Sequence, residues 1–368
     1  MAAASSSLVD CFSRSYREAR EKFLAAASRC NLAVASEINP AGLGVDGEPL
    51  ATDAVEVGPS SAESVLVLTS GTHGVEGFCG SACQIALLRD DILRRRLDEC
   101  GVAVLLVHAL NPWGFSHSAR TNEDGIDLNR NFLDFPVEAS GPDGYAVLHP
   151  LLVPDHWPPS DANEAELQRR LDAGGLPMRQ AMVGGQGSHP DGLFYSGAGP
   201  SWSNRTIRAL LRRHGTHRKR LAWIDLHSGL GPSGHGEKIF GSTMWGPEAT
   251  ARALAWYGRD LVRSSSPRSV TPHTQGYIGM SAPRECPQAE YTFMTLEFGT
   301  VPFDEATRAL RGEIWLRSHP DAASDLRQSI RTAVRRSFYV EEDFWKGQVL
   351  GQFRSVALQA VHGLSTLA

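Results

Sequence analysis

His73 and Glu76 stand three residues apart in "GTHGVEG", among Gly71, Gly74 and Gly77 and directly after an apolar run. An imidazole and a carboxylate at that spacing can face one point, and glycine lets the backbone turn tightly around a cation there. The same stretch also reads as a glycine-rich turn in which Glu76 caps a helix starting near Phe78. His227, closing "LAWIDLHSG", offers a second imidazole. A His/Glu/His set with one position left for water is the arrangement of a catalytic zinc, and Asp225, two residues earlier, is placed to orient a ligand imidazole. Glu297 lies inside the strand-like "FMTLEFGT". A carboxylate there must meet a cation, an arginine or solvent, and partial burial would raise its pKa toward the working range of a general base. Arg120 and Arg130 lie ten residues apart in the turn-rich loop 111–132. One guanidinium can face a developing oxyanion while the other grips a substrate carboxylate.

The elements that must position these groups are legible as apolar runs. Segments 64–71, 102–110, 221–229 and 293–300 are apolar almost throughout, as expected of strands buried on both faces. Between the first two, "GSACQIALLRDDILRRRLDECG" carries helical periodicity up to Gly101, which predicts a β-α-β unit. Further helices are predicted near 162–172, 202–214, 247–264, 303–317 and 321–337. The class is α/β, and in such sheets sites form beyond the carboxyl ends of strands, where His73, Asn111, His227 and Glu297 fall. Residues 134–203 are dense in Pro, Gly and aromatics, which predicts an ordered excursion serving as lid or pocket wall within a single domain spanning 1–368. His189 and Tyr195 in that excursion either line an entrance or pack as ordinary loop residues.

A net charge of −5 without a clustered basic tract argues against nucleic acid or an anionic membrane as partner. Six cysteines without a CxxC pair predict reduced thiols, with Cys79 and Cys83 as small core residues. The first 28 residues read as a short tail and an amphipathic helix rather than a signal peptide, and no run is long enough to span a bilayer. The cytoplasm is the expected location.

Taken in order, these residues resemble the zinc metallocarboxypeptidase superfamily, including its aspartoacylase and succinylglutamate desuccinylase relatives. "GTHGVEG" is similar to the family's HxxE zinc motif in its glycine-rich bacterial and deacylase form. "VHALNPWGF" is similar to the strand ending in Asn-Pro-Asp-Gly, and "GIDLNRNF" to the Asp-x-Asn-Arg-Asn-aromatic signature. "DLHSG" resembles the strand of the third ligand and "TLEFGT" that of the catalytic glutamate. The resemblance implies a three-layer αβα sandwich with a mixed, largely parallel central sheet. It implies one Zn2+ per chain on His73, Glu76 and His227, with Glu297 as general base and Arg120 polarising the carbonyl. It also implies that Asn129 and Arg130 hold a substrate carboxylate and that Tyr277 caps the substrate. The implied reaction is hydrolysis of an amide in a small peptide or N-acyl amino acid. Three departures bear on the substrate. Gly-Val replaces the Ala-Arg of the digestive enzymes inside the zinc motif, Arg120 and Arg130 are closer in sequence than in those enzymes and nearer the deacylase spacing, and the excursion has no counterpart in the digestive enzymes. The competing readings are a small-molecule N-deacylase, a two-zinc aminopeptidase, for whose extra ligands His108, His235 and Glu237 are poor candidates, and a binding protein without catalysis.

Overall fold

The computed structural model describes residues 8–136, 144–241, 246–264, 266, 269 and 274–365. Its centre is an eight-stranded mixed sheet with helices on both faces. The strands are β1 (Val34–Leu43), β2 (Pro49–Val57), β3 (Ser64–Ser70), β4 (Val102–His108), β5 (Arg220–Ser228), β6 (Gly236–Phe240), β7 (Val262–Arg263) and β8 (Glu290–Phe298). They lie in the order β1-β2-β4-β3-β5-β8-β6-β7. The central four, β4, β3, β5 and β8, run parallel, while β2 and β6 join them antiparallel.

Every residue of β3 and β4 is buried, which is why both segments are apolar without alternation. Successive side chains serve opposite faces. Leu66, Leu68, Ile224 and Leu296 join a core with helices Gly77–Arg89 and Asp343–Ser365, whereas Val65, Val67, Trp223 and Phe293 join one with helix Trp202–Gly215.

The four expected strands form within a few residues of their expected bounds, and the N-terminal amphipathic helix spans Tyr16–Arg29 with Ser15 capping it. The helix expected between β3 and β4 is two helices, Gly77–Arg89 and Asp91–Cys100, because Asp90 leaves helical geometry and its side chain accepts the Leu93 N–H at 2.9 Å. The helix expected over 247–264 ends at Tyr257, and Val262–Arg263 instead extends the sheet beside β6. The final helix, Asp343–Ser365, went unread in the sequence.

Within 134–203 the excursion folds into helices Tyr145–Leu152 and Asp161–Val183, the second broken at Gly175 (φ 57°, ψ −144°). It docks on helix Phe303–Ser318 through the buried Arg311. That guanidinium donates to the Leu152 carbonyl at 3.1 Å and the Leu151 carbonyl at 2.9 Å, and pairs with Glu164 at 2.8 Å. All six cysteines are free, with Cys79 and Cys83 buried. Among the described residues no helix is long and apolar enough to cross a membrane.

Candidate active site

The chain leaves β3 through Gly71 at φ 62°, a left-handed conformation that disfavours a side chain, and makes a short 3-10 turn over Gly74–Glu76. The turn packs so closely on helix Pro112–His117 that a Cβ on Gly74 would lie 2.1 Å from the Gly114 carbonyl carbon. It is also tied to the loop beyond β4, since Val75 N–H donates to the Ala119 carbonyl at 2.8 Å and Gly74 N–H to the Arg120 carbonyl at 3.2 Å. Held in this way, His73 Nδ1 lies 2.8 Å from Glu76 Oε1. At the end of β5, His227 Nδ1 lies 2.7 Å from Glu76 Oε2. The donor atoms of the three residues fall within 4.8 Å of one another, and all three are buried.

Each imidazole is anchored from behind. His73 Nε2 lies 3.1 Å from Asp127 Oδ1, and His227 Nε2 lies 2.6 Å from Asp225 Oδ2. Asp225 is fixed in turn by the hydroxyls of Thr69 at 2.5 Å and Thr72 at 2.8 Å. A carboxylate on one ring nitrogen sets the tautomer that leaves the other as a metal donor. Burial alone would raise the Glu76 carboxyl, but His73 and His227 hold it below the usual carboxylate range. Burial likewise opposes charge on His227, yet Asp225 and Glu76 hold its pKa well above that of an ordinary histidine. The pocket between the two imidazoles therefore favours positive charge. Two imidazole nitrogens and one carboxylate, each imidazole backed by its own carboxylate, fit a zinc ion.

Glu297 stands beside His227 in the β5–β8 register and accepts the Leu230 N–H at 3.2 Å. Burial and the Glu76 carboxylate push its pKa up to about 8, against the pull of His227. Among the described residues it pairs with no arginine.

Arg120 donates from Nε to Asp127 Oδ2 at 2.9 Å and reaches Glu76 Oε1 from Nη1 at 3.4 Å. Asp127 thus orients His73 and Arg120 together. Arg120 is placed from its backbone as well, because Glu313 accepts the Arg120 N–H at 2.8 Å and the Thr121 N–H at 3.1 Å. Arg130 donates to the Val183 carbonyl at 2.8 Å and the Asn129 carbonyl at 3.0 Å. Burial, opposed by Asp127 and reinforced by Arg120, lowers its pKa to about 10, so it stays charged at neutral pH. Both guanidinium groups stack on Phe194, at 5.4 Å and 5.2 Å from its centroid. The Asn129 side-chain oxygen accepts the Ile278 N–H at 2.9 Å, which leaves its NH2 as a donor.

His73, Glu76, Arg120, Asn129, Arg130, His227, Tyr277 and Glu297 all line one cavity of about 970 Å³, its open mouth included. The excursion supplies Val183 and Phe194 to its wall, rather than His189 or Tyr195. A second metal position built on His108, His235 and Glu237 is not formed, and among the described residues His73, Glu76 and His227 are the one group close enough to share an ion. His108 is buried elsewhere, 2.8 Å from the Ser81 hydroxyl and stacked on Phe23, and burial lowers its pKa to about 4. His235 is exposed. Sequence reasoning missed Glu313 and Phe194, and it placed Asp127 in the Asp-x-Asn-Arg-Asn-aromatic signature without giving it a role. The "DLNRNF" string held the signal for Asp127, whereas nothing local marked the other two.

The fold has counterparts among solved structures. It is similar to the carboxypeptidase A of Helicoverpa armigera, at 13% identity and a TM-score of 0.47 over 91% of this chain and 77% of that one. A bovine thrombin-activatable fibrinolysis inhibitor, solved with a tick carboxypeptidase inhibitor, gives 16% and 0.46 over 90% and 98%. A metallo-carboxypeptidase from Pseudomonas aeruginosa, solved with (2-guanidinoethylmercapto)succinic acid, gives 15% and 0.42 over 86% and 67%. No curated protein matches the sequence. Residues 12–352 match the family model described as Protein of unknown function (DUF2817), and the chain belongs to that family.

Proposed function

We propose that the protein is a zinc-dependent hydrolase that cleaves an amide bond in a small peptide or N-acyl amino acid bearing a free carboxylate. One observation carries this reading. The Nδ1 atoms of His73 and His227 converge on Glu76 while each Nε2 rests on its own carboxylate, with Glu297 one strand away. His73, Glu76 and His227 would hold the ion, which supplies Lewis acidity toward water and a carbonyl oxygen at neutral pH.

Glu297 takes the proton of the attacking water and hands it to the departing nitrogen. The carbon–nitrogen bond breaks, a carbon–oxygen bond forms, and a carboxylic acid and an amine leave. Arg120, braced by Asp127 and Glu313, faces the negative charge that develops on the carbonyl oxygen. Arg130 and the amide NH2 of Asn129 hold the substrate carboxylate, and Tyr277 closes over it.

Elemental analysis of chelator-free protein and of His73→Ala tests the reading. About one zinc per chain, lost in the variant, together with hydrolysis of at least one carboxylate-bearing amide, is the expected result. No metal bound after zinc is supplied would overturn it.

A further inference from the structure

The two guanidinium groups of the site share one aromatic ring. Arg120 and Arg130 lie over Phe194 at 5.4 Å and 5.2 Å from its centroid, and the charge on Arg120 opposes that on Arg130. Arg120 has a counter-ion in Asp127 at 2.9 Å. Among the described residues Arg130 pairs with no carboxylate, although only 4% of it is exposed, and it donates instead to the carbonyls of Val183 and Asn129. A buried cation without a counter-ion is costly. The negative face of the Phe194 ring offsets part of that cost.

The backbone is built to place this ring. Phe194 is held at φ 57°, in the left-handed region that a bulky side chain rarely adopts. Such a conformation persists where its surroundings over-determine it, and here three successive carbonyls are tied down. Those of Leu193, Phe194 and Tyr195 accept from the Tyr145 hydroxyl at 2.9 Å, the Gln186 N–H at 3.1 Å and the Asp127 N–H at 2.9 Å. The last bond joins the segment that carries the ring to the residue that orients His73 and Arg120. Gly185, at φ 107°, clears space for Arg130, because a Cβ there would lie 2.7 Å from Arg130 Cδ. The excursion thus meets Arg130 at a carbonyl, at a glycine and at a ring.

A ring does here what a carboxylate could not. A carboxylate would hold the guanidinium groups and also neutralise them, closing them to an anionic ligand. The quadrupole of a phenyl ring attracts both and carries no net charge, so the pair keeps its full charge. It also occupies no N–H, and among the described residues Nη2 of Arg120 makes no hydrogen bond and stays available. Building on the hydrolase reading above, we propose that Phe194 is the positioning residue of both arginines, holding two like charges over one ring without neutralising either.

The test replaces Phe194 with 4-fluoro-, 3,5-difluoro- and 3,4,5-trifluorophenylalanine in the full chain loaded with zinc. Each fluorine drains the negative face of the ring and changes its volume little. Calorimetry in the Glu297→Gln background, with N-acetylphenylalanine and its carboxamide as probes, reads binding. Turnover of carboxylate-bearing amides reads kcat and KM. The expected result is a stepwise weakening of carboxylate binding, reaching about tenfold at three fluorines, with the carboxamide unmoved. KM should rise for free carboxylates through Arg130, and kcat should fall for free and amidated substrates alike through Arg120. Denaturant titrations need no ligand. Their midpoint should fall with each fluorine, and the trend should vanish in the Arg120→Met/Arg130→Met double variant. Equal binding and equal midpoints across the fluorinated series, even with Phe194→Leu impaired, would reduce the ring to packing and overturn the proposal. Midpoints that fall with each fluorine while the wild-type protein binds and turns over no carboxylate compound would uphold the hold on the arginines and sink the hydrolase reading.

Discussion

At the strand ends, His73, Glu76, Asp127, Asp225 and His227 fix one another through polar contacts of 2.6 to 3.1 Å. Elsewhere in the same cavity, Phe303, Ala306, Leu310 and Phe338 present carbon surface, with the Thr307 hydroxyl beside them on the helix Phe303–Ser318. The first region has few acceptable geometries, because losing one partner leaves a buried polar atom unsatisfied. The second tolerates exchange of one apolar group for another of similar volume. The two regions of the cavity thus respond differently to change.

That contrast can be broken most directly at Glu297. Glu297→Gln preserves shape and removes the base, so kcat should drop about 10²- to 10⁴-fold while metal content, read by elemental analysis, stays at the wild-type level. Retained turnover would remove Glu297 from the chemistry. Asp225→Asn keeps the His227 contact but weakens its anchoring, and a zinc-chelator competition should report roughly 10- to 100-fold weaker binding. An unchanged affinity would mean that the network behind the imidazoles is dispensable. Arg130→Ala should raise KM about tenfold or more for substrates with a free carboxylate and leave amidated ones unaffected, as expected for loss of a charge-assisted contact.

The smallest effect sharpens the comparison through pH. In metal-free protein the Glu297 pKa is raised to about 8, above its ordinary value of 4.5, so the folded state binds more protons than the unfolded one between those values. Its contribution is fully present below about pH 4.5 and is lost as the pH rises through about 8. Denaturant titrations should show wild-type stability falling relative to Glu297→Gln across that window, by up to about 1.4 kcal/mol per pH unit. Parallel curves would place Glu297 in a more solvated setting. The apolar wall has no titrating group, and Phe303→Ala should add no pH dependence.

The sequence disclosed the strands that carry the candidate site because burial on both faces makes β3, β4, β5 and β8 nearly uniform in polarity. It hid β1, whose second half is almost wholly exposed, and β2, whose Asp53 looks like a loop residue until Arg20 pairs with it at 2.7 Å. His73, Glu76, His227 and Glu297 could be found because each polar residue interrupts an apolar or glycine-rich context at a strand end. Glu313 could not. In "ALRGEIWLRS" it reads as one more acid on a surface helix, and only the docking of that helix against residues 120 and 121 shows what it holds. Phe194 was hidden for the same reason, since nothing in "DGLFYSG" says that two guanidinium groups from residues 64 and 74 positions earlier will lie against its ring.

The closeness of Gly74 to Gly114 makes the spacing between His73 and Glu76 a matter of steric clearance. An alanine at 74 would place a carbon 2.1 Å from one backbone atom of the neighbouring helix and 2.3 Å from the next. The helix would have to retreat by more than an ångström, and Asn111, which caps it, would move with it. Genetic drift inside the motif is therefore policed from outside it. Because the atoms in the way belong to the backbone of Gly114 and Phe115, no change of side chain on that helix could make room for one at position 74.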